Sequence, residues 1–395
     1  MKKLFTVTAI GLALLTWHTS CTLQPKAPEA FTPIKVETPA RPAGQEDVIQ
    51  LVTPKIDTVR VGFIGLGMRG PGAVVRWTHI PGTKIVALCD LLPERVEKSQ
   101  EILKNAGLPA AASYSGEEDA WKKLCERDDI DLVYIATDWK HHAAMGVYAM
   151  EHGKHVLCEK PSASNIRELG RMIEAAKKYG VVFMEAMKST LMPGFGAILQ
   201  HLPEIGTVRR YFASYCQYSS RYDKLKAGEV MNAFKPELSN GATMDLGIYT
   251  IYPLVVLWGR PFRISATGIL LSTGVDGQGA VNLEYGQGKN ATILYSKIAD
   301  SSLPSEIQGE DGTIVIDKIQ SPDRILLKHR NGMSQDISIV GRKNEYYYEV
   351  KEFIDLVQSG SRESSVNSHM NSFIALEVID EIRRQLGVIY PADKN

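Results

Sequence analysis

The sequence predicts an α/β fold: an N-terminal Rossmann domain with a parallel sheet, followed by a C-terminal α/β domain on a mostly antiparallel sheet. Three observations carry this. Between Thr58 and Ala186, short apolar runs alternate with helical stretches, the order that right-handed crossovers turn into a parallel sheet. From Ile264 to Val340 the runs are strand-like throughout, separated by Gly274, Gly277, Gly286, Gly309 and Gly312 and closed by Gly341. With 395 residues, 44% hydrophobic and 23% charged, the chain has material for two or three domains with ordinary cores.

The first element is a leader. Lys2 and Lys3 precede an apolar run from Leu4 to Leu15, and Thr16 to Ser20 lead to Cys21. This is a secretory signal pattern, 1–20, too short for a comfortable membrane span. Cys21 stands where bacterial lipoprotein signals place their lipidated cysteine, and the stretch resembles those lipoboxes. Residues 21–57 then carry Pro25, Pro28, Pro33, Pro39, Pro42 and Pro54, a composition that favours an extended tether. No acidic residue directly follows Cys21. The expectation is a lipid-anchored, periplasm-facing protein of a Gram-negative cell envelope. Cys89, Cys125, Cys158 and Cys216 form no C-x-x-C pair and have no clustered His, so a zinc site is not expected and buried free thiols are, with a disulfide still open.

The Rossmann region spans 58–186. Strand Val59 to Ile64 stops at Gly65-Leu66-Gly67-Met68-Arg69-Gly70, and a helix begins at Ala73 to Trp77. This is G-x-G-x-x-G in its proper setting: Gly65 for the tight turn, Gly67 for close approach of a pyrophosphate, Gly70 for helix against strand. The helix start offers free N–H groups to the phosphates, and the segment with Met68 and Arg69 is assigned to the cofactor. A second strand, Lys84 to Cys89, ends at Asp90, 20 residues beyond Gly70, where an acid meets an adenosine ribose. A carboxylate there argues for NAD over NADP, while Arg95 keeps NADP or dual use open. Helix Pro93 to Ala106, strand Leu132 to Ala136, helix His142 to His152, strand His155 to Cys158, helix Ser164 to Tyr179 and strand Val181 to Glu185 complete the sheet.

After Cys158 come Glu159, Lys160 and Pro161, which put an ammonium at a carboxyl edge. Here the chain resembles the glucose-fructose oxidoreductase, inositol dehydrogenase and MocA family, from about Val59 to Ile389. The landmarks are the glycine motif, Ala136-Thr137 with His142 five residues beyond, Gly153 to Pro161, and Asp245-Leu246-Gly247-Ile248-Tyr249. The resemblance implies an N-terminal Rossmann domain and a C-terminal α/β domain with a large open sheet, a nicotinamide cofactor between them, a role for Lys160 at the substrate hydroxyl, and a homodimer or homotetramer through the exposed sheet face. Thr137, Trp139, His142 and Glu159 are assigned to the cofactor side. Where the family usually writes Thr-Pro-Asn this chain has Thr137-Asp138-Trp139, and Trp139 can also stack on a sugar; His142 reads as a structural partner of that loop rather than a base.

The second domain, 187–395, carries the substrate. If Gly241 to Leu257 is helical, Asp245 and Tyr249 share a face at i, i+4. Many relatives carry His where Tyr249 stands; the phenol is the expected acid/base, assisted by Lys160, with Asp245 orienting the sugar or pairing with Lys160. Lys188 follows the last Rossmann strand, and Tyr215, Tyr218, Arg221 and Tyr222 make a polar aromatic string suited to carbohydrate. Lys188, Tyr218, Arg221, Tyr222 and Trp139 are therefore the expected substrate contacts, with plain sheet packing of an Arg209 to Ser219 strand as the alternative. Helices are expected at Tyr346 to Gln358 and His369 to Gly387.

Lys plus Arg equals Asp plus Glu at 45 each, so no net field recruits nucleic acid or an anionic membrane. The expected function is hydride transfer between a bound nicotinamide and a hydroxyl-bearing carbon of a sugar, glycoside or polyol. Outside the cytoplasm the cofactor is expected to arrive bound and to be recycled by a second substrate. A second reading is a redox-neutral glycosidase, because Gly62 to Gly72 looks similar to the NAD-dependent N-acetylgalactosaminidases. A third is a non-catalytic sugar-binding or dinucleotide-binding lipoprotein.

Overall fold

The computed structural model describes Ile49, residues 51–341 and residues 343–394. The expected signal peptide, Cys21 and most of the Pro-rich tether lie outside the described residues. The end of that tether belongs to the body. Thr53 is buried, its N–H donates to the Gly360 carbonyl at 2.6 Å, and Val52 bridges to Ser361. The docked chain thus starts before the expected Thr58, because the backbone of 52–53 finds partners on a distant turn.

Six parallel strands, β1 (Val59–Ile64), β2 (Thr83–Cys89), β3 (Ala112–Tyr114), β4 (Leu132–Ile135), β5 (His155–Glu159) and β6 (Phe183–Ala186), lie in the order β3-β2-β1-β4-β5-β6. The order reverses between β1 and β4, and the carboxyl ends there open the crevice where α/β sheets bind ligands. Helices α1 (Gly70–Trp77), α2 (Pro93–Asn105), α3 (Ala120–Cys125), α4 (Trp139–Glu151) and α5 (Ile166–Tyr179) cover the faces, which is why β4 and β5 bury every residue. The sequence reading omitted β3 and α3; three and six residues are too few to display a period.

After α6 (Pro193–His201), β7 (Val208–Cys216) starts a second sheet, joined by β8 (Arg263–Leu270), β9 (Asp276–Tyr285), β10 (Lys289–Ser296), β11 (Ser305–Gly309), β12 (Gly312–Ile316), β13 (Ile325–His329) and β14 (Ser334–Asp336). The order is β14-β13-β12-β11-β7-β10-β9-β8, antiparallel except for β7 with β10. β7 ends at Cys216 instead of Ser219: the Ser219 side chain accepts the Arg221 N–H and starts the short helix α7 (Ser220–Lys226).

The expected helix from Gly241 is two structures in series. Thr243–Gly247 is a π-turn that passes into α8 (Ile248–Trp258). Thr243 holds the turn: its N–H and hydroxyl both donate to Asp276 Oδ2, at 2.7 and 2.6 Å. Gly247 lies on the Tyr295 ring, where a Cβ would stand 3.2 Å from it. Among the described residues, Pro236–Trp258 is the one stretch long and apolar enough to cross a membrane, and 78% of its window is buried inside the fold, as befits a core helix.

The change of topology near residue 187 does not separate two cores. α9 (Tyr347–Ser359) returns to the first sheet, where Val350, Phe353, Ile354 and Val357 join β1, α1 and β6 in one apolar cluster. A second cluster runs from β4, α4 and α5 through α8 and α10 (His369–Leu386) into the second sheet. Cys89, Cys125, Cys158 and Cys216 are free, and burial pushes the thiols of Cys89 and Cys125 up to about 12.

Removing the fully buried ring that docks α9 tests this shared core. Phe353→Ala should destabilise the protein by about 3–5 kcal/mol, the usual range for a buried phenylalanine. Urea unfolding followed by tryptophan fluorescence measures it, and a loss below about 1 kcal/mol would show α9 to be a loose appendage.

Candidate active site

The glycine loop is shaped for a dinucleotide. Gly65 has φ +94°, and a Cβ there would meet the Ala136 carbonyl at 2.5 Å. A Cβ on Gly70 would stand 2.9 Å from the Gly65 carbonyl, while the first contact of one on Gly67 is the Arg95 guanidinium at 3.4 Å. Two glycines thus permit the turn, and the third leaves an open approach below Arg95, as a pyrophosphate at a helix start requires.

Asp90 is more engaged than its position in the sequence implies. Oδ2 accepts the Leu66 N–H at 2.7 Å, and Oδ1 accepts the Leu92 N–H at 3.0 Å and faces Arg95 at 3.4 Å. The carboxylate that was expected to repel a 2′-phosphate has a guanidinium beside it.

Lys160, directly after β5, is only 4% exposed. Its ammonium donates to the Asp245 carbonyl at 2.7 Å and to Asp245 Oδ1 at 3.0 Å. Burial lowers its pKa from the usual lysine value, with Asp245 opposing. The Asp245 side chain remains 29% exposed, and burial is outweighed there by Lys297 and Lys160, which hold the carboxyl well below the ordinary range.

Tyr249 is the third member. Lys160 Nζ stands 4.5 Å from the centre of its ring, over the face, and forms no hydrogen bond to the phenol oxygen. The ammonium expected beside the phenol thus meets its ring as a cation–π contact. Burial raises the Tyr249 pKa well above the ordinary phenol, with Arg69 opposing. The π-turn also means that Asp245 and Tyr249 are not the simple i, i+4 pair of an α-helix; they approach Lys160 by the carboxylate and by the ring face.

The other expected residues divide. Trp139 begins α4, with its ring 5.7 Å from Lys160 Nζ, so it borders the same space. His142 does not: it is 0% exposed, with Nδ1 2.9 Å from the Pro161 carbonyl and Nε2 3.1 Å from the Thr137 carbonyl. It sits between the Thr137 and Lys160 loops, the place of the structural partner that the sequence also suggested. Glu159 accepts the Tyr134 hydroxyl at 2.6 Å beneath the edge. Lys188 pairs with Glu345 at 2.6 Å and lies 5.9 Å from the Tyr249 ring. Arg221 reaches Met68 of the glycine loop. Tyr218 and Tyr222 pack on one another at 5.8 Å, and the Tyr218 hydroxyl donates to Asp223 at 2.6 Å; they form a polar cluster of α7, apart from the Lys160 contacts.

Two groups escaped the sequence reading. Lys297, one residue past β10, puts its ammonium 2.9 Å from Asp245 Oδ2. Tyr346, just before α9, lies under Lys188 at 4.7 Å and Arg76 at 4.5 Å, and Arg69 donates to its hydroxyl. The run Tyr346-Tyr347-Tyr348 was visible as a helix start, but only the return of α9 brings it to this edge.

Comparison with known proteins follows this geometry. Residues 59–187 match the oxidoreductase family model with NAD-binding Rossmann fold, and residues 203–315 match the GFO/IDH/MocA C-terminal domain. The scyllo-inositol 2-dehydrogenase (NADP(+)) IolU of Bacillus subtilis is 50% identical over 273 residues, 69% of this chain and 83% of that protein. Glycosyl hydrolase family 109 protein 1 of Bacteroides thetaiotaomicron is 73% identical over 178 residues, 45% of this chain but only 38% of that protein. Among solved structures, the 3-ketoreductase KijD10 of Actinomadura kijaniata with NADP and TDP-benzene superposes with TM-score 0.71 at 20% identity, covering 83% of this chain and 98% of that one. The aldose-aldose oxidoreductase of Caulobacter crescentus gives the same score and identity over 83% and 97%. At such identity the two structures speak for the fold.

The buried carboxyl behind the Lys160 loop yields a pH prediction. Glu185 accepts the Ser162 N–H at 2.9 Å, and burial pushes its carboxyl up to about 7 from 4.5. A raised carboxyl contributes stability that is complete below its unfolded value and is lost as pH rises through the folded one. Wild type should therefore lose up to about 3 kcal/mol between pH 4.5 and 8 from this group, and Glu185→Gln should not. Thermal or urea unfolding of both proteins across that window checks it; parallel curves would assign the pH dependence elsewhere.

Proposed function

The chain belongs to the GFO/IDH/MocA oxidoreductase family, and from that membership we propose that it is an NAD(P)-dependent oxidoreductase of CH–OH groups acting on a sugar, glycoside or polyol. The observation that carries the reading is the buried Lys160–Asp245 pair, with Tyr249 against it, at the carboxyl edge of a sheet whose glycine loop is shaped for a dinucleotide. When bound, the nicotinamide supplies the hydride acceptor or donor, and the Gly65–Gly70 loop, Asp90 and Arg95 would hold the remainder of the dinucleotide.

The proton is the task of this chain's own residues. Lys160 spends two of its three donors on Asp245 and has one left for a substrate oxygen. Burial makes its proton easier to release and the Tyr249 proton harder to release. The division expected from the sequence is therefore reversed: Lys160 exchanges the hydroxyl proton, and Tyr249 donates a hydrogen bond to the same oxygen. Asp245, partly open, accepts from a neighbouring hydroxyl. Neutral, hydroxyl-rich compounds suit this arrangement, and the relative from Bacillus subtilis is named for such a substrate.

NADP is accepted as well as NAD in this reading. Asp90 is tied by two backbone N–H groups and met by Arg95, so a 2′-phosphate would find a guanidinium beside the acid. That relative is also named for NADP(+). Arg95→Ala should weaken NADP binding about tenfold or more, as expected for loss of one charged hydrogen bond, and leave NAD binding within about twofold. Titration of tryptophan fluorescence with each nucleotide measures both; equal losses would remove Arg95 from the 2′ position.

The redox-neutral glycosidase remains the second reading, favoured by the 73% identity over 178 residues to a glycosyl hydrolase family 109 protein. The leader and Cys21 support delivery to a Gram-negative envelope, anchored by lipid and facing the periplasm. Exposed Ile269, Leu270 and Leu326 on the second sheet support a homodimer or homotetramer.

A panel of sugars, glycosides and polyols analysed by mass spectrometry tests the main reading, since oxidation removes two hydrogens. Lys160→Met should lower kcat by at least about a hundredfold with nucleotide affinity retained, and Tyr249→Phe should lower it less. Free aglycone with no net change in cofactor absorbance would select the glycosidase; unchanged turnover in Lys160→Met would end both.

A further inference from the structure

Asp245 is shared between two lysines. Lys160 takes Oδ1 at 3.0 Å, and Lys297 takes Oδ2 at 2.9 Å and also donates to the Ala233 carbonyl at 3.2 Å. The two ammonium groups arrive from different sheets, one after β5 and the other after β10, and are 4% and 3% exposed. One carboxylate between two buried ammonium groups leaves a positive charge in excess where little water reaches it. A second buried cation is a poor way to gain stability. The Lys297 ammonium also lies over the Phe234 ring, 5.4 Å from its centre, so it is held in place from a second side.

We propose that Lys297 is a positioning residue for the reaction: by occupying the second oxygen of Asp245 it denies Lys160 a full ion pair and keeps the Lys160 proton transferable to and from the substrate oxygen. The proposal rests on the reading of Lys160 given above. Other charged or titratable groups face the pair from the neighbouring elements: Arg69 from the glycine loop, Glu159 from β5, Glu185 from β6, Tyr215 from β7, Tyr249 from α8 and Asp276 from β9. Glu159 is occupied by Tyr134, Glu185 by Ser162, and Asp276 by Thr243. Lys297 is the cation that competes with Lys160 for the same carboxylate.

The sign of its effect is fixed. Neutralising Lys297 removes a like charge from the vicinity of Lys160 and surrenders Asp245 wholly to it, and both changes hold the Lys160 proton more tightly. Two unit charges across one carboxylate, at an effective dielectric constant of about 20, correspond to a shift of about one pH unit or more.

The full-length chain labelled with [ε-13C]lysine, with the Lys160 signal assigned by its loss in Lys160→Arg, reports this titration directly by NMR. In Lys297→Gln and Lys297→Met the Lys160 midpoint should rise by about one unit or more, and in Lys297→Arg it should stay near the native value. The kcat/KM profile on the best substrate should move to higher pH by the same amount, with Lys297→Arg rescuing it. An unmoved midpoint in Lys297→Gln overturns the proposal. So does failure of both neutral variants to fold while Lys297→Arg folds, which would make the role structural. A native chain that shows the NMR shift but oxidises nothing in the panel would sink the functional reading and leave the charge sharing intact.

Discussion

A lysine ammonium cannot be buried to 4% exposure without partners that replace its water, and this constraint at Lys160 organises the molecule. Its partner Asp245 comes from a segment 85 residues away, so the two layers must meet with little freedom. The π-turn delivers both the carbonyl and the carboxylate of Asp245 to one ammonium. That turn is held in its own place by Thr243 on Asp276 and by the flat approach of Gly247 to Tyr295. Extra turns of this kind often mark functional positions, because they aim side chains that a regular helix would send elsewhere.

The fold was legible where local pattern and global architecture agree. β4 and β5 bury every residue, and β1 and β2 are apolar runs interrupted near their starts by Arg60 and Lys84; the glycine loop and Asp90 announce the first crossover. Legibility failed where an element is too short for a period, as in β3 and α3, or where its partner is remote. The tail of the tether looked like linker because Pro54 and its neighbours give no strand signal. What fixes Thr53 is a carbonyl at Gly360, three hundred residues downstream. The apolar face of α9 was visible, but nothing local says that it belongs to the first sheet rather than the second.

The site divides along the same line. Lys160, Asp245 and Tyr249 stand in motifs with recognisable neighbours, so sequence could nominate them. Their ionisation could not be read, because burial and the identity of the nearest charges are tertiary facts. An exposed phenol beside a lysine would be the natural base, whereas an enclosed phenol with the ammonium over its face holds its proton. His142 shows the converse. Its sequence position is as suggestive as any, yet the buried ring lies between the Pro161 and Thr137 carbonyls and gives its one N–H to one of them, so it helps to fix the two loops between which Lys160 emerges. Lys297 has no local signature, since a lysine following a strand is usually a solvated one.

Charge gives the last connection between chain and chemistry. Over the whole sequence the cations and anions cancel, which excludes long-range steering of a charged partner. Near the Lys160 edge they do not cancel. Lys160 and Lys297 share Asp245, Lys188 is matched by Glu345, and Arg69 donates to a phenol. Of the carboxyls beneath them, Glu159 accepts from Tyr134, while burial raises the Glu349 carboxyl and favours its neutral form. The excess is therefore positive, short-ranged and enclosed, the form of charge that stabilises an oxygen as it loses its proton while leaving a neutral polyol free to arrive by diffusion.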